Sequence, residues 1–133
     1  MVLVDTSVII DYLRGAENTK TRLFESIANQ KLPYGISAFT FQEVLQGARD
    51  EREYAVLKDY LSTQRIYFIP ETIETYESAA HMFFQLRRQG ITPRSKIDIL
   101  IVLTAINNNL YLLHNDRDFD VISERVPELR ILE

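Results

Sequence analysis

The sequence predicts an α/β fold, a three-layer sandwich in which a central, mainly parallel sheet is flanked by helices. The first observation is that short apolar segments of strand length alternate with longer segments whose apolar residues have helical spacing. This alternation is typical of α/β sandwiches. The second observation is that no internal repeat or low-complexity linker interrupts the 133 residues, so residues 1–133 are expected to form a single domain.

Two strands and four helices are predicted in the first half of the chain. In order, they are a strand at Val2–Val4, helices near 7–13 and at 19–30, a strand at 33–36, and helices at 37–46 and Glu51–Ser62. Gly15 follows the first helix and ends it, and Ser37 is a favourable N-cap for the third helix. The fourth helix is amphipathic, because Tyr54, Leu57 and Leu61 share one stripe.

Three strands and two helices are predicted in the second half. They are a strand at 66–69, a helix between Thr72 and Gly90, a helix that begins after Ser95, and strands at Tyr111–Leu113 and 130–132. In the helix between Thr72 and Gly90, four apolar residues are expected to face inward, namely Ile73, Tyr76, Ala80 and Phe83. The helix that begins after Ser95 is apolar almost all round, which predicts that it is buried.

Composition excludes several classes of protein. The chain has no cysteine, so disulfides, zinc–thiolate sites and thiol nucleophiles are excluded. Its longest apolar run, residues 99–106, is far shorter than the ~18 residues of a membrane span, and the start MVLVD is too short for a signal peptide, so a cytoplasmic protein without a membrane partner is expected. The net charge of −4 argues weakly against a dedicated nucleic-acid binder.

One stretch of the chain has the opposite charge. Residues 78–97 contain four basic residues and no acidic one: Arg87, Arg88, Arg94 and Lys96. The stretch could bind phosphates, although Arg87 and Arg88 fall in the last turn of a predicted helix, where cations complement the helix dipole.

Four acidic residues stand near the edge of the sheet at which ligands of parallel sheets bind, beyond the carboxyl ends of the strands. Asp5 follows the first strand, Asp116 follows the strand at Tyr111–Leu113, and Asp98 opens the buried helix. Glu43 lies in the third helix, beside its core stripe. Carboxylates gathered at one edge repel one another unless a cation intervenes, and hard oxygen ligands select Mg²⁺ or Mn²⁺.

Each acid also has an explanation that involves no function. Asp5 can serve as an N-cap, and a helical glutamate such as Glu43 is commonly just exposed. Asp98 ends the sequence Ser-Lys-Ile-Asp, which has the form of a capping box. Asp116 can build a turn, and Asp118 is a rival for any role that Asp116 has.

Four stretches carry a family resemblance through their order and spacing. They are VDTSVIIDYL at 4–13, SAFTFQEVL at 37–45, DILIVLTA at 98–105 and HNDRDF at 114–119. Together they resemble the PIN-domain family, and within it the VapC ribonucleases, which are the toxins of type II toxin–antitoxin systems. The resemblance covers nearly the whole chain and implies a PIN-like fold. It also implies an endoribonuclease that depends on Mg²⁺, with Mn²⁺ able to substitute, and hydrolyses RNA with a metal-activated water.

The resemblance also implies which residues form the site. Carried over by motif, the acidic quartet that binds the metal and performs catalysis is Asp5, Glu43, Asp98 and Asp116. Thr6 or Ser7 matches a polar helper beside the first aspartate. His114 departs from the family, which usually has Thr at this position, and an imidazole that fills the position structurally is expected.

Partners are expected on two grounds. The resemblance implies a cognate VapB-type antitoxin, and an acidic cleft favours a basic side chain presented by such a partner. The seven Phe and seven Tyr exceed what one core stripe needs, which suggests a groove for a partner's helix and a homodimer interface.

Two other functions are left open by the residues. One is a catalytically idle α/β binding module, in which the acids only cap helices. The other is an aspartate-based phosphoryl-transfer enzyme, although haloacid-dehalogenase-like enzymes need a second Asp where this chain has Ser7.

Overall fold

The computed structural model describes all 133 residues, and its five strands form one parallel sheet. The strands are β1 (Val2–Val4), β2 (Tyr34–Ser37), β3 (Ile66–Tyr67), β4 (Tyr111–Leu113) and β5 (Arg130–Ile131). Their order is β3-β2-β1-β4-β5, and every neighbouring pair is parallel. The chain therefore builds outward from β1 to one edge and later returns to the other side of β1. This places a topological switch point between β1 and β4.

Seven helices cover the sheet on both faces. They are α1 (Thr6–Leu13), α2 (Thr19–Asn29), α3 (Ala38–Gln46), α4 (Glu51–Ser62), α5 (Ile73–Arg88), α6 (Lys96–Asn107) and α7 (Arg117–Arg125). Strand residues alternate between two cores: Val4 and Leu113 pack with α1–α4, whereas Leu3 and Leu112 pack with α5–α7. The prediction of a three-layer α/β sandwich with a parallel sheet is confirmed, as are the buried helix α6 and the helix ends at Gly15 and Gly90.

The exposed face of α5 differs from the prediction. Ile73 is 77% exposed and Tyr76 is 51% exposed, although both were expected to face inward, and Ala80 is exposed as well. The inward stripe has the same spacing but is shifted, and it comprises Thr75, Ala79, Met82 and Leu86. Phe83, which was also expected to face inward, is partly buried and packs against the core, so the prediction is confirmed at that position. An apolar strip of α5 is nevertheless left at the surface.

Other differences concern element lengths. The strands predicted at 66–69 and 130–132 are each shorter, and β2 starts and ends one residue later than predicted, so Ser37 both ends β2 and caps α3. The helix α7 was not predicted: its sequence is mostly polar, and Phe119 and Ile122 are its only buried residues. No helix of the structure is both long enough and apolar enough to span a membrane.

Candidate metal centre

Asp5 and Asp116 lie at the carboxyl ends of β1 and β4, the two strands that flank the switch point. Each is also the N-cap of the helix that follows: Asp5 accepts from the Ser7 N–H, and Asp116 accepts from the Asp118 N–H at 2.9 Å. Their capping roles are therefore real. A cap places a carboxylate at a helix N-terminus, where the dipole also favours negative charge.

Asp5 is almost completely buried, with 4% of its surface exposed. Its Oδ2 accepts two hydrogen bonds from Ser7, from the backbone N–H at 3.0 Å and from Oγ at 2.6 Å. Burial raises the pKa of Asp5 to about 6, although the bonds from Ser7 oppose this shift and the charge of Glu43 adds to it. The cap therefore only partly compensates the cost of placing a carboxylate here.

Asp98 has no structural partner, and its explanation as part of a capping box is wrong. The Ser95 hydroxyl caps α6 by accepting from the Ile97 N–H at 3.1 Å, and the Asp98 carboxylate makes neither a hydrogen bond nor an ion pair. Burial raises the pKa of this half-buried carboxyl to about 7, and four other acids raise it further: Asp5, Asp116, Asp118 and Glu43. Asp98 is thus an uncompensated acid that feels the charge of every other acid of the site.

Asp118 joins Asp98 and Asp116 in one cluster. A carboxylate oxygen from each of the three lies within 4.8 Å of the others. Arg94 forms ion pairs with two of these acids: its Nη2 lies 3.1 Å from Asp116 Oδ1, and its Nε lies 3.0 Å from Asp118 Oδ2. Sequence reasoning treated Asp118 as a rival of Asp116, whereas the structure places both beside Asp98.

Glu43 lies outside that cluster of three, yet it is held toward the site. Thr6 donates from Oγ1 to Glu43 Oε1 at 2.7 Å, which ties the middle of α3 to the first turn of α1. The charge of Glu43 raises the pKa of both Asp5 and Asp98, so its carboxylate contributes to the negative potential of the site.

Ser7 links the two halves of the site. Its Oγ donates to Asp5 Oδ2 and accepts from the backbone N–H of Asn115 at 2.9 Å. The Asn115 side chain in turn donates to Asp11 Oδ2 at 3.0 Å. These bonds fasten the loop that carries Asp116 to helix α1. The family resemblance implied a polar helper after Asp5, but the sequence gave no signal for the bond between α1 and this loop.

His114 fixes the backbone at Asp116 through a hydrogen bond from a buried ring. Its ring is 2% exposed, and Nδ1 accepts from the backbone N–H of Asp116 at 3.1 Å. Burial lowers the pKa of His114, which keeps the imidazole neutral and Nδ1 free to accept. Nε2 lies 3.2 Å from Asp120 Oδ1 without the alignment of a hydrogen bond. The expected structural role of the imidazole agrees with these contacts.

The donor set fits a hard divalent cation. Carboxylate oxygens from two helices converge within 4.8 Å, and Asp98 has no other partner to satisfy its charge. Mg²⁺ and Mn²⁺ prefer such oxygen ligands. Asp98, Asp116 and Asp118 are therefore the residues that could hold the ion, with Asp5 and Glu43 adding negative charge nearby.

The sequence of this chain is similar to those of known proteins, and this similarity identifies its family. A family model described as "PIN domain" matches residues 2–125. The ribonuclease VapC11 of Mycobacterium tuberculosis is 30% identical over 135 residues, which cover 98% of this chain and 96% of that protein. The chain therefore belongs to the PIN-domain family. Within that family its resemblance is to the VapC branch.

Solved structures share the fold. The structure of DNA-bound VapBC from Salmonella typhimurium has a chain with a TM-score of 0.75 and 24% identity, covering 98% of this chain and 96% of that chain. The toxin–antitoxin complex from Klebsiella pneumoniae has a TM-score of 0.64 and 24% identity, with 90% of each chain covered. These matches confirm a PIN-like fold.

Proposed function

We propose that this protein is an Mg²⁺-dependent endoribonuclease, the toxin of a VapBC-type pair, and that it acts in the cytoplasm as a single domain over residues 1–133. The observation that carries the proposal is the unpaired carboxylate of Asp98, which lies within 4.8 Å of the oxygens of Asp116 and Asp118. An uncompensated acid beside other acids is costly to the fold, and functional sites are where such costs are found.

The residues of the chain have separate tasks in this proposal. Asp98 and Asp116, together with Asp118, hold the ion. The catalytic acids are Asp98 and Asp116, assisted by Asp5 and Glu43. A bound Mg²⁺ or Mn²⁺ would supply a water of lowered pKa and stabilise negative charge on the phosphodiester. Ser7 orients Asp5, and Thr6 holds Glu43 at 2.7 Å, so these two hydroxyls support the acids and do not react themselves.

Cleavage of RNA tests the proposal directly. Purified protein should cut single-stranded or looped RNA with Mg²⁺ or Mn²⁺ and lose all measurable activity in excess EDTA. The reason is that a metal-free ribonuclease needs a pair of general acid–base groups. The chain has two histidines, of which His114 is buried under Asp116, while His81 is exposed on α5. Equal cleavage in EDTA would contradict the proposal, and absence of cleavage under all conditions would favour the idle binding module.

The idle module remains the alternative because Asp5 and Asp116 do cap helices. The phosphoryl-transfer alternative is weaker, because Ser7 stands where a second Asp is needed and its hydroxyl is already bonded to Asp5. Asp98 favours the nuclease over the binding module, because the module explains the acids as helix caps and Asp98 makes no capping bond.

We also propose a homodimer and a VapB-type antitoxin as partners. The Klebsiella structure is a toxin–antitoxin complex, and the Salmonella structure is DNA-bound VapBC. The outer face of α5 exposes Tyr76 and Phe84, beside a groove of about 370 Å³ between α5 and α6. We assign this face to the second copy of the chain. The acids remain free for a basic side chain of the antitoxin.

Light scattering and co-expression test these partners together. The protein alone should have the mass of a dimer, and co-expression with the neighbouring small open reading frame should relieve growth arrest and give a larger complex. Phe84→Glu should yield monomers, because a charge in an apolar interface is costly. The matched control is Val56→Glu, at a residue 63% exposed on α4. A monomeric wild type would remove the dimer, and arrest that the neighbour fails to relieve would remove the antitoxin.

A further inference from the structure

Arg94 is the one cation bonded to the acids of the site. It lies in the connection between α5 and α6, directly before Ser95, the N-cap of α6. Its side chain is 76% exposed, yet it makes two ion pairs, to Asp116 Oδ1 at 3.1 Å and to Asp118 Oδ2 at 3.0 Å. Asp118 Oδ2 also lies 3.5 Å from the backbone nitrogen of Arg94. An exposed arginine is thereby held in one orientation.

The two ion pairs use only part of the guanidinium. Nε donates to Asp118 and Nη2 donates to Asp116, which accounts for two of the five N–H donors. The remaining three are the two on Nη1 and the second on Nη2, and they have no partner in the structure. They form the outer edge of a planar fork whose geometry matches two oxygens of a phosphate.

The charge of the site makes this free edge informative. Glu43, Asp98, Asp116 and Asp118 are partly exposed and give this surface a negative charge, which repels an RNA backbone. Exposed ion pairs contribute little to stability, so the two bonds of Arg94 serve orientation better than folding. A fixed cation at the rim offers a phosphate a favourable contact beside the acids.

We propose that Arg94 is a substrate-binding residue whose outer Nη1–Nη2 edge binds a phosphate of the RNA strand beside the acid cluster. Asp118 and Asp116 are its positioning residues on the opposite edge. This inference rests on the proposed ribonuclease function and deepens it, because it assigns a contact for the backbone of the substrate.

The opposite role predicts a different result. Arg94 could instead act as an internal competitor that occupies Asp116 and Asp118 and keeps a metal away. Removal of a competitor would raise metal affinity and speed up cleavage, whereas removal of a phosphate contact weakens RNA binding and slows cleavage at low RNA concentration.

The test compares Arg94→Gln, Arg94→Lys and the matched control Arg52→Gln. Arg52 is exposed on α4, a helix that contributes no acid to the site. RNA affinity is measured as a function of salt in an Asp98→Asn background, so that the strand is bound without being cut. Separately, kcat and KM are measured with Asp98 present, and Mn²⁺ affinity is measured by calorimetry without RNA.

Arg94→Gln should weaken RNA binding about tenfold and reduce the slope of log K against log[salt] by about 0.7, the value for one phosphate contact on a single strand. KM should rise with little change in kcat. Arg94→Lys should keep the salt slope but bind more weakly than wild type, because an ammonium lacks the fork. Arg52→Gln should match wild type in every measurement.

Two results would overturn the inference while the ribonuclease stands. One is a salt slope for Arg94→Gln equal to that of Arg52→Gln. The other is a several-fold gain in Mn²⁺ affinity together with faster cleavage, which would identify Arg94 as a metal competitor. Failure of the wild type to bind or cut RNA would remove the ribonuclease proposal itself, and this inference with it.

Discussion

Asp98→Asn should reduce RNA cleavage at least about 100-fold while raising the melting temperature of the metal-free protein. The loss of activity follows from removing a charge where the ion is proposed to bind. Even substitutions of residues that only hydrogen-bond to metal ligands reduce metal affinity or activity by about 10–100-fold. The gain in stability follows from the raised pKa of Asp98, about 7 against an ordinary value of 3.8. A carboxyl whose pKa is raised by folding destabilises the fold once it ionises.

The sign of this effect fixes its pH range. The native state holds the proton of Asp98 up to about pH 7, whereas the unfolded chain releases it near 3.8. Stability therefore falls as pH rises from about 4 to about 7, and Asn avoids this loss. The difference in melting temperature between Asp98→Asn and wild type should be largest above pH 7, should decrease as the pH is lowered, and should vanish near pH 4.

Thermal melts across pH and a cleavage assay check both halves of this prediction. Asp59→Asn is the matched control, because Asp59 is exposed on α4 and makes no ion pair. A variant that melts lower than wild type at pH 8 would restore the view of Asp98 as a helix-stabilising acid. Retained cleavage in Asp98→Asn would remove Asp98 from the catalytic acids.

Mn²⁺ should stabilise the wild type strongly at pH 8 and much less at pH 5.5. At one hundred times its dissociation constant, an ion that binds only the folded state adds about 2.7 kcal/mol, or about 10 °C in a domain of 133 residues. Protons compete for the same oxygens, because the pKa values of Asp98 and Asp5 are raised to about 7 and about 6. Each displaced proton lowers the apparent affinity about tenfold per pH unit below its pKa.

Scanning calorimetry with and without Mn²⁺ measures this shift in wild type, Asp98→Asn and Asp59→Asn. The Asp59→Asn protein should respond like wild type, and the Asp98→Asn protein should respond weakly at both pH values. An equal shift in all three proteins would show that Mn²⁺ binds elsewhere. A shift independent of pH in wild type would mean that no buried acid is titrated on binding.

The sequence was sufficient for the parallel sheet, because strands and helices alternate clearly and both faces are covered. It was insufficient for α5, where the pattern at Ile73 and Tyr76 and the pattern at Thr75 and Ala79 have the same period. A helical period defines stripes, but which stripe packs inward depends on the room that the neighbouring helix α6 leaves.

The candidate site shows the same limit more sharply. Spacing along the chain placed Asp5, Asp98 and Asp116 near one edge of the sheet, and the structure brings Asp98 and Asp116 together. A capping box and a ligand for a cation can have the same sequence, and only the absence of a hydrogen bond from the Ser95 backbone N–H to the Asp98 carboxylate distinguishes them here. Arg94 gave no local signal, since its partners are more than twenty residues away.

Asp5 and Asp116 are both helix caps and acids of the site, which restricts the substitutions that could inactivate the protein and leave it fully folded. Both start helices, so replacing either by Ala removes a cap worth about 0.5–2 kcal/mol together with the charge. Such variants lose a helix cap along with an acid of the site. Asp98 has no capping bond, so its loss leaves a folded protein with its surfaces intact. Inactive chains that stay folded should therefore arise more often by substitution of Asp98 than of Asp5 or Asp116.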